Sequence, residues 1–530
     1  STTTSLSMAS FGVAARGSTR ARYSTRHNGG RGRLQKPAAV SEPEAASEPS
    51  EEYSPGLTAH ASREGNSSEG GAPMTVAMTS LGCPKNVVDG EVMLGHLFKE
   101  GFDIIDDHEK ADAIVINTCG FVEDAKDESV AAILEAAGLS EGSEQKKRVV
   151  VTGCLAQRYA QDLADSLPEV DLVVGFENYS ELPTMISDAI GGGGDGSSAS
   201  SSQVAVGSAT VPFRSETQRL RLTPAHTAYI RVAEGCDHAC TFCAIPSFRG
   251  KFRSKPYDAI LEEARALAAS GARELNLIAE DTNQYGMDLR EQGHNLATLL
   301  RALAEIEGVE WIRLLYCYPS YFTDELIDAI AEIPQVCKYI DIPLQHMHNM
   351  TLLRMNRPHQ QHTVALLDKL RDRIPGLALR TTFISGFPGE TDEEHRHLVD
   401  FCKDFKFERM GVFAYSEEEG TPAGEMEFQV EPETREARRD ELISLSQDII
   451  AAHAQSRIGT VEDILIDSID EDGNFVGRTR LEAPDIDPCV FVEPPDAGPP
   501  LEIGQLRRCR ISGTSVFDLF ATIIEDESEE

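Results

Sequence analysis

Three cysteines that lie far apart in the chain, Cys83, Cys119 and Cys154, each follow directly on an apolar run of strand length. Helix-period segments separate these runs, so strand and helix alternate from residue 75 to 174. The alternation predicts a parallel sheet covered by helices. Because the carboxyl ends of parallel strands meet at one edge of a sheet, the fold is expected to bring the three thiols together at that edge.

A glycine stands beside each of these cysteines, and glycine tolerates sharp backbone bends, which suits loops around a bulky inorganic cluster. The alternative is three unrelated buried thiols, since cysteine is common in protein cores. Asn86 and Asn117, close to the cysteines, are equally suited to turns or caps. The glycines are Gly82, Gly120 and Gly153; the strands are predicted at 75–80, 113–118, 148–152 and 171–174, and the helices at 87–99, 128–137 and 156–166.

A second set of cysteines, Cys236, Cys240 and Cys243, stands in the segment EGCDHACTFCAIPSFRG, just after another strand-like run. The CxxxCxxC spacing allows one tight loop to aim three thiolates at one point. A 4Fe-4S cluster normally takes four thiolates, so three of them leave one iron open to a ligand. The alternative is a structural zinc site that includes His238, but such sites usually draw four ligands from two separated pairs, and no second pair is evident.

The part of the chain that follows predicts two further structural units. Six strand–helix units in series predict a partial (β/α)6 barrel, and a charged helix is expected near 433–456. After that helix the pattern changes to short strands and turns, which predicts a small all-β unit. The fold class is therefore α/β with an all-β unit at the end. The six strand-like runs are 228–233, 274–279, 311–316, 338–342, 378–385 and 410–415.

Composition limits the class of protein. The chain has 530 residues, enough for several domains, and none of its apolar runs approaches the roughly 18 residues that a membrane-spanning helix needs. Its formal net charge of −38 repels phosphate backbones and attracts basic partners. Eleven cysteines are too sparse for a disulfide scaffold. Those outside the two triplets are interpreted as core residues: Cys317, Cys337, Cys402, Cys489 and Cys509.

The segment EGCDHACTFCAIPSFRG resembles the cluster loop of radical S-adenosylmethionine (SAM) enzymes, and the two triplets together resemble the methylthiotransferase family. The resemblance implies an N-terminal methylthiotransferase domain with an auxiliary 4Fe-4S cluster, a TIM-like partial barrel with the radical SAM cluster, and a C-terminal β-barrel called TRAM. It implies that the six cysteines bind the two clusters, with Cys236, Cys240 and Cys243 catalytic. It also implies SAM contacts from Glu280, Gln345 and Gly386.

These units are expected at 73–190, 223–455 and 456–523, with a Gly/Ser-rich linker at 191–222 and an acidic tail at 524–530. The resemblance further implies the reaction. An electron from a reduced donor such as ferredoxin or flavodoxin cleaves SAM to a 5′-deoxyadenosyl radical, which takes a hydrogen atom from the substrate. A methylated sulfur on the auxiliary cluster is then delivered to the substrate carbon, and a second SAM supplies the methyl group.

Among methylthiotransferases, the motifs SLGCPKNVVDGE, INTCGFVEDAKDES and RTTFISGFPGET resemble the RimO type, which modifies the β-carbon of an aspartate in small-subunit ribosomal protein twelve. The alternative is the transfer RNA adenosine branch, which favours Gln-Met-Asn where Pro84, Lys85 and Asn86 stand. Residues 457–530 hold six basic and 18 acidic side chains, which disfavours direct RNA binding. A non-enzymatic iron–sulfur scaffold that docks on ribosomes is the alternative from another class.

Residues 1–40 differ from the rest of the chain, with seven basic residues, many Ser and Thr, and no Asp or Glu. This composition predicts an organellar transit peptide, with a disordered basic tail as the alternative. Residues 41–72, rich in Glu, Ser, Pro and Gly, are expected to be a disordered linker. The expected destination is the plastid stroma, with the mitochondrion second, because a plastid contains a bacterial-type ribosome.

Overall fold

The computed structural model describes residues 73–141, 146–191, 202–209, 213, 219–494 and 501–524. The expected leader and linker at 1–72, much of the Gly/Ser-rich linker and the acidic tail beyond residue 524 lie outside the described residues. Within those residues, no helix is both long enough and apolar enough to cross a membrane.

The first unit is a six-stranded sheet with helices on both faces. It consists of β1 (Thr75–Ser80), α1 (Pro84–Lys99), β2 (Asp103–Ile104), β3 (Ala113–Thr118), α2 (Glu123–Glu141), β4 (Arg148–Thr152), α3 (Gly153–Ser166), β5 (Leu172–Val174), α4 (Leu182–Gly191) and β6 (Gln203–Ala205). The strand order is β2-β1-β3-β4-β5-β6, and every neighbouring pair is parallel. Helices α1 and α4 cover one face and α2 and α3 the other. The predicted parallel sheet is confirmed.

The unit also contains β2 and α4, which the sequence did not predict, and helices α2 and α3 begin five and three residues earlier than expected; two further differences have a clear physical reason. Helix α1 begins at Pro84 rather than at residue 87. Proline suits the first position of a helix because a backbone N–H there would have no partner within the helix, and because the φ of proline is already helical. Strand β6 lies within the segment expected to be a linker. Its three residues pair with β5, because the edge of a sheet leaves backbone N–H and C=O groups available. The strand is stabilised by this pairing, so the Gly/Ser-rich composition of the segment gives no sign of it.

The second unit is an open sheet in which a helix follows almost every strand. It consists of β7 (Thr227–Arg231), β8 (Ala233–Glu234), α5 (Ile245–Arg249), β9 (Arg253–Ser254), α6 (Tyr257–Ala269), β10 (Glu274–Ile278), α7 (Leu296–Ala304), β11 (Trp311–Leu314), α8 (Asp324–Glu332), β12 (Val336–Asp341), α9 (Asn349–Arg354), α10 (Gln360–Arg373), β13 (Ala378–Ser385), α11 (Asp392–Phe405), β14 (Arg409–Ala414) and α12 (Pro432–Ser456). Six parallel strands lie in the order β14-β13-β12-β11-β10-β7. The sheet does not close, so the predicted partial barrel is confirmed.

Two strands of this sheet are shorter than the apolar runs that predict them. Strand β11 ends at Leu314 because Tyr316 has a φ of +60°, which a strand cannot continue through. Strand β7 ends at Arg231, after which β8 pairs antiparallel with β9. That two-stranded ladder holds together the ends of the segment that carries the second cysteine triplet.

The third unit is a closed five-stranded barrel of β15 (Val461–Ile469), β16 (Phe475–Arg478), β17 (Val490–Glu493), β18 (Leu506–Thr514) and β19 (Leu519–Ile523), in the order β15-β16-β17-β19-β18. The all-β prediction is confirmed. The loop between β16 and β17 packs into the amino-terminal side of the second sheet, where Ala483 joins a buried apolar cluster with Trp311 and Tyr339. The Tyr339 hydroxyl donates to the Asp487 carboxylate at 2.7 Å.

Buried ion pairs reinforce this junction. The Glu274 carboxylate lies 3.0 Å from Arg313 and 2.8 Å from Arg478 of β16. The Glu482 carboxylate lies 2.6 Å from Arg409 and also pairs with Arg457. The junction therefore pairs opposite charges that are far apart in sequence: Glu274 and Arg478 are separated by 204 residues, and Arg409 and Glu482 by 73.

Four of the five scattered cysteines are buried, as predicted for core residues: Cys317, Cys337, Cys402 and Cys509. Cys489 is only half-buried, and its sulfur lies 3.6 Å from the Asp518 carboxylate. The prediction of a core position is wrong for Cys489, because it lies at the end of a short barrel strand next to a polar side chain.

We expect the Glu482→Gln variant to loosen the junction at neutral pH. Burial opposes ionisation of Glu482, but Arg457 and Arg409 outweigh it and lower its pKa to about 2. Removing the carboxylate leaves Arg409 without its close ion pair and Arg457 with Glu462 alone, and breaking a buried pair typically costs about 3 to 5 kcal/mol. Urea unfolding followed by fluorescence of Trp311, the single tryptophan of the chain, measures the change at the junction itself.

The same measurement tests the pH dependence. Because the pKa of Glu482 is lowered on folding from an ordinary 4.5, its stabilisation is complete above that pH and is lost as the pH falls toward 2. The Glu482→Gln variant should lack this part of the acid transition. Asp324→Asn, which removes an exposed ion pair with Lys369, is the control and should change the free energy of unfolding by less than about 1 kcal/mol. Equal effects of both variants would contradict the prediction.

Candidate active site between two cysteine triplets

The first cysteine triplet lies at the carboxyl edge of the first sheet. Cys83 is the N-cap of α1, Cys119 follows β3, and Cys154 is the second residue of α3. The three thiols are electrostatic neighbours of one another. A Cβ placed on Gly82 would lie 3.2 Å from the Cys119 sulfur, so the loop that carries Cys83 touches Cys119. The parallel topology therefore gathers three thiols that are distant in sequence.

Two of the neighbouring glycines are required because the loops touch each other. A Cβ on Gly120 would lie 2.7 Å from the carbonyl carbon of Cys154. A Cβ on Gly153, whose φ is +89°, would lie 2.6 Å from Oδ1 of Asn117. Both distances are far inside van der Waals contact, so glycine is needed for the loops to approach this closely.

The second cysteine triplet lies in the segment bracketed by β8 and β9. The Cys236 N–H donates to the Gly250 carbonyl at 3.1 Å, and the Cys243 N–H donates to the Cys240 carbonyl at 3.1 Å. The three thiols are again electrostatic neighbours. Burial raises the pKa of Cys236 and of Cys243 to about 12, as it does for Cys154 in the first triplet. A bound metal has to displace those protons.

The donor set of each triplet fits an iron–sulfur cluster better than a single metal ion. Among the residues that the structure describes, no three or more His, Cys, Asp or Glu side chains are grouped to hold one ion. In a 4Fe-4S cluster each thiolate binds a different iron, so the ligands stand farther apart than those around one zinc ion. Three soft thiols without a fourth leave one iron of each cluster accessible to a ligand.

The two triplets lie on either side of one boundary, between the first sheet and the partial barrel. Cys154 packs in an apolar cluster with Ala244, the residue after Cys243, and with Phe248. The segment that carries the second triplet thus forms part of the wall around the first. This contact is what makes the two groups of thiols a single candidate site.

Arg249, the last residue of α5, crosses this boundary as a buried cation. Its guanidinium donates to the Cys154 sulfur at 3.3 Å, to the Asn86 side chain at 3.0 Å and to Asp89 at 2.9 Å, all in the first unit. On its own side it donates to Glu234 at 2.9 Å. A guanidinium is planar and carries five donors in a fixed fork, so these contacts fix the orientation of the two units.

Lys85 crosses the boundary in the opposite direction. Its Nζ donates to the carbonyl of Ala279, at the end of β10, at 3.3 Å, and lies 3.5 Å from the centre of the Tyr316 ring. Burial opposes its charge, but Cys83, Tyr316 and Glu280 hold the pKa of Lys85 above its ordinary value. A cation from the first unit is therefore placed at the carboxyl edge of the second sheet.

Glu280 lies at the position where the resemblance implies a SAM contact. Its Oε2 is buried and has no hydrogen-bond partner among the described residues. Burial and the nearby Glu234 carboxylate raise the pKa of Glu280, although Lys85 and Arg249 oppose the shift. An acceptor left open beside the second triplet suits a ligand that carries an amine or hydroxyl, so the SAM contact stays a prediction that the geometry allows.

Gln345 and Gly386 take part in backbone geometry at the same rim. Gln345 has a φ of +73°, and its backbone bridges Thr382 and Ile384 of β13. Strained non-glycine residues of this kind cluster at functional sites. Gly386 has a φ of +71°, and a Cβ there would lie 2.7 Å from the Cβ of Arg435, so this glycine is required by packing against α12. Packing against α12 explains this glycine, and the predicted contact of Gly386 with SAM stays a prediction.

Two residues near these motifs belong to the supporting structure. His346, next to Gln345, is fully buried and its Nε2 lies 4.0 Å from the Glu390 carboxylate. Phe242, between two cysteines of the second triplet, packs edge-on against Phe387 at 6.4 Å in an apolar cluster. This cluster shields one side of Cys240 and Cys243 from water.

A further contact between the two units lies beside Cys119. The buried Glu418 carboxylate, in the loop after β14, lies 2.5 Å from Arg158 of α3 and accepts the Val122 N–H at 2.9 Å. Arg158 also donates to the carbonyl of Gly120 at 3.1 Å. The loop after the last barrel strand is thereby fastened to the loop that carries Cys119.

Sequence reasoning identified the cysteines but not the charged residues between them. Lys85, Asp89 and Arg249 lie close to cysteines in sequence, and Asp89 falls on the buried face of α1. A charge on the apolar face of a helix is rare unless it is paired, which is the one local signal that these positions carry. Their partners are set by the docking of two sheets and have no local signature.

Comparison with known proteins supports this arrangement of units. Three family models match: "Uncharacterized protein family UPF0004" at residues 75–175, "Radical SAM superfamily" at 230–402 and "TRAM domain" at 458–524. The ribosomal protein uS12 methylthiotransferase RimO of Desulfitobacterium hafniense is 43% identical over 454 residues, which cover 85% of this chain and 98% of that protein. The RimO protein of Geobacter sulfurreducens is 43% identical over 452 residues, covering 85% and 98%.

Among solved structures, the radical SAM methyltransferase TsrM of Kitasatospora setae is similar with a TM-score of 0.48 and 16% identity. The match covers 67% of this chain and 74% of that one. A likeness this weak supports no inference about the function of this chain.

We expect the Gly120→Ala variant to lose the iron bound at the first triplet and to keep that bound at the second. The added Cβ forces apart the Cys119 and Cys154 loops, while the Cys236 loop is untouched. Iron content and the visible absorption of the reconstituted protein measure the loss. Gly138→Ala is the matched control. Gly138 lies on the exposed face of α2, and a Cβ added there would have no atom within 4 Å. Full iron loading of Gly120→Ala would contradict the prediction.

Proposed function

This chain belongs to the RimO family of methylthiotransferases, and we propose that it transfers a methylthio group to the β-carbon of an aspartate in ribosomal protein uS12. The observation that carries the proposal is the juxtaposition of two three-thiol groups. Cys154 of the first triplet packs against Ala244, which follows the last cysteine of the second. A substrate between them is within reach of both.

When bound, two 4Fe-4S clusters and SAM would supply an electron, a carbon radical and the methylthio group. The six cysteines hold the clusters, and the open acceptor on Glu280 is placed to bind a donor group of SAM. Phe242 and Phe387 exclude water from one side of the second triplet. Hydrogen-atom transfer needs no general base.

The use of arginine in the third unit favours a protein substrate over RNA. Arg457 and Arg478 are buried in ion pairs with Glu482 and Glu274 and are not available to a phosphate backbone. Arg508 lies on an exposed strand directly opposite Asp463. Because RNA affinity depends largely on cations that neutralise phosphates, a basic ribosomal protein suits this acidic chain better.

The reductant in this proposal is a small electron-transfer protein such as ferredoxin or flavodoxin. Cys236 and Cys240 are only partly buried, and Asp237 and Ala239 beside them are exposed. The segment with the second triplet therefore reaches the surface, where such a donor can approach.

The test is product analysis with the protein reconstituted anaerobically with iron and sulfide. Given SAM and a reductant, we expect uS12 to gain the mass of one methylthio group on an aspartate, while transfer RNA offered separately stays unmodified. Cys236→Ala should abolish both 5′-deoxyadenosine and product. Cys489→Ala, which removes a half-buried thiol of the third unit, is the control and should retain both. Modification of transfer RNA alone would overturn the substrate, and 5′-deoxyadenosine from Cys236→Ala would overturn its role.

We also propose that the protein acts in the plastid stroma. The proposal rests on the composition of residues 1–40, which carry seven basic and no acidic side chains. A fluorescent protein fused to residues 1–72 should enter plastids in cells, and the fusion with the seven basic residues replaced by Gln should remain outside. Fluorescence in mitochondria would assign the protein to the other organelle with a bacterial-type ribosome.

A further inference from the structure

We propose that Lys85 binds the side-chain carboxylate of the substrate aspartate and so positions its β-carbon between the two cysteine triplets. This inference rests on the proposed function and assigns the residue that selects the substrate side chain. It begins from a charge that the folded chain leaves incompletely matched.

Lys85 is 7% exposed, and its ammonium group has three N–H donors. Among the residues that the structure describes, its single hydrogen bond is to the carbonyl of Ala279, at 3.3 Å, and it also contacts the face of the Tyr316 ring. Within the described part of the chain, Lys85 forms no ion pair. A buried cation is normally paired, since an unpaired one is costly to desolvate.

Other buried lysines of the chain show the usual solutions. Lys255, which is fully buried, lies 2.5 Å from the Glu263 carboxylate. Lys147 is buried at the amino edge of the first sheet and donates to two backbone carbonyls, those of Glu109 and Ala111. Among the described residues Lys85 pairs with neither a carboxylate nor a second carbonyl, so its ammonium keeps N–H donors for an anion that joins the site.

The position of Lys85 places that anion at the centre of the candidate site. Lys85 is two residues from Cys83 of the first triplet, and its Nζ reaches the end of β10, beside Glu280 at the rim of the second sheet. Glu280 is an electrostatic neighbour but does not form an ion pair with Lys85. The ammonium is therefore an electrostatic neighbour of Cys83 in the first triplet and of Glu280, which is in turn a neighbour of Cys236 in the second.

An aspartate carboxylate is the anion that this reaction would bring there. The β-carbon is bonded directly to the carboxyl carbon, so a cation that holds the carboxylate also fixes the carbon that loses hydrogen and gains sulfur. A lysine ammonium is a compact point charge that can follow the carboxylate on a flexible stem. An asparagine in the same place would leave the charge of Lys85 unmatched, and the site would discriminate against it.

The experiment compares two uS12 peptides, one with the target aspartate and one with asparagine in its place. Binding to the reconstituted protein is followed by fluorescence anisotropy, independently of turnover. We expect the wild-type protein to bind the aspartate peptide about tenfold more tightly, the effect typical of one charge-assisted hydrogen bond. Lys85→Met should bind the two peptides alike and modify the aspartate peptide more slowly, with SAM affinity in equilibrium dialysis unchanged.

Two further variants of Lys85 distinguish a loss of charge from a loss of folding. Lys85→Gln keeps a donor for the Ala279 carbonyl but has no charge, so it too should lose the preference for aspartate. Lys85→Arg keeps the charge and should retain the preference. Lys147→Met, which removes a buried lysine from the far edge of the same sheet, is the matched control and should retain the full preference.

The outcomes separate this inference from the function on which it rests. If the wild-type protein modifies the aspartate peptide and Lys85→Met and Lys85→Gln still prefer aspartate, the inference is overturned and the proposed function stands. If those variants lose SAM binding instead, Lys85 serves the cofactor and the inference is also overturned. If the wild-type protein neither binds nor modifies the aspartate peptide, both the proposed function and the inference fail.

Discussion

The site depends above all on the buried guanidinium of Arg249. This one group meets Cys154, Asn86 and Asp89 from the first sheet and Glu234 from the partial barrel. Burying a cation and two carboxylates costs several kcal/mol of desolvation for each ion, and only good hydrogen-bond geometry offsets that cost. A docking that is shifted or rotated would leave these charges unmatched. The network therefore selects the single arrangement in which the two groups of thiols face each other.

Buried ion pairs also fix the third unit to the barrel, at the amino-terminal end of the barrel strands. There Glu274 and Glu482 each lie between two arginines, and the pairing lowers the pKa of both carboxyls to about 2. These pairs define position more than they add stability, since a well-packed apolar junction would be about as stable. At the carboxyl rim, by contrast, Tyr316 and Gln345 are held at positive φ. Charges are therefore matched at both junctions of the barrel, and two residues of the rim where a substrate is expected also carry backbone strain.

Using arginine inside the molecule has a consequence for its surface. Arg249, Arg409, Arg457 and Arg478 are all buried in ion pairs, so they do not neutralise the acidic exterior of a chain with a net charge of −38. Their partners Asp89, Glu234, Glu274 and Glu482 are buried with them, so the buried pairs largely cancel and the remaining residues carry the net negative charge of the chain. An acidic exterior steers basic proteins toward the molecule and repels nucleic acid backbones.

The sequence by itself determined the three units and the positions of the six cysteines within them. Strands Thr75–Ser80, Ala113–Thr118 and Ala378–Ser385 have the predicted bounds, because each contains an apolar run of strand length that is buried in its sheet. Parallel topology then implied that Cys83, Cys119 and Cys154 converge. Only the tertiary structure decided what lies between the triplets. Arg249 is 163 residues from Asn86, and Lys85 is 194 residues from Ala279. Pairings over such separations leave no local pattern, since a buried charge is stabilised by whichever partner the docked surfaces bring to it.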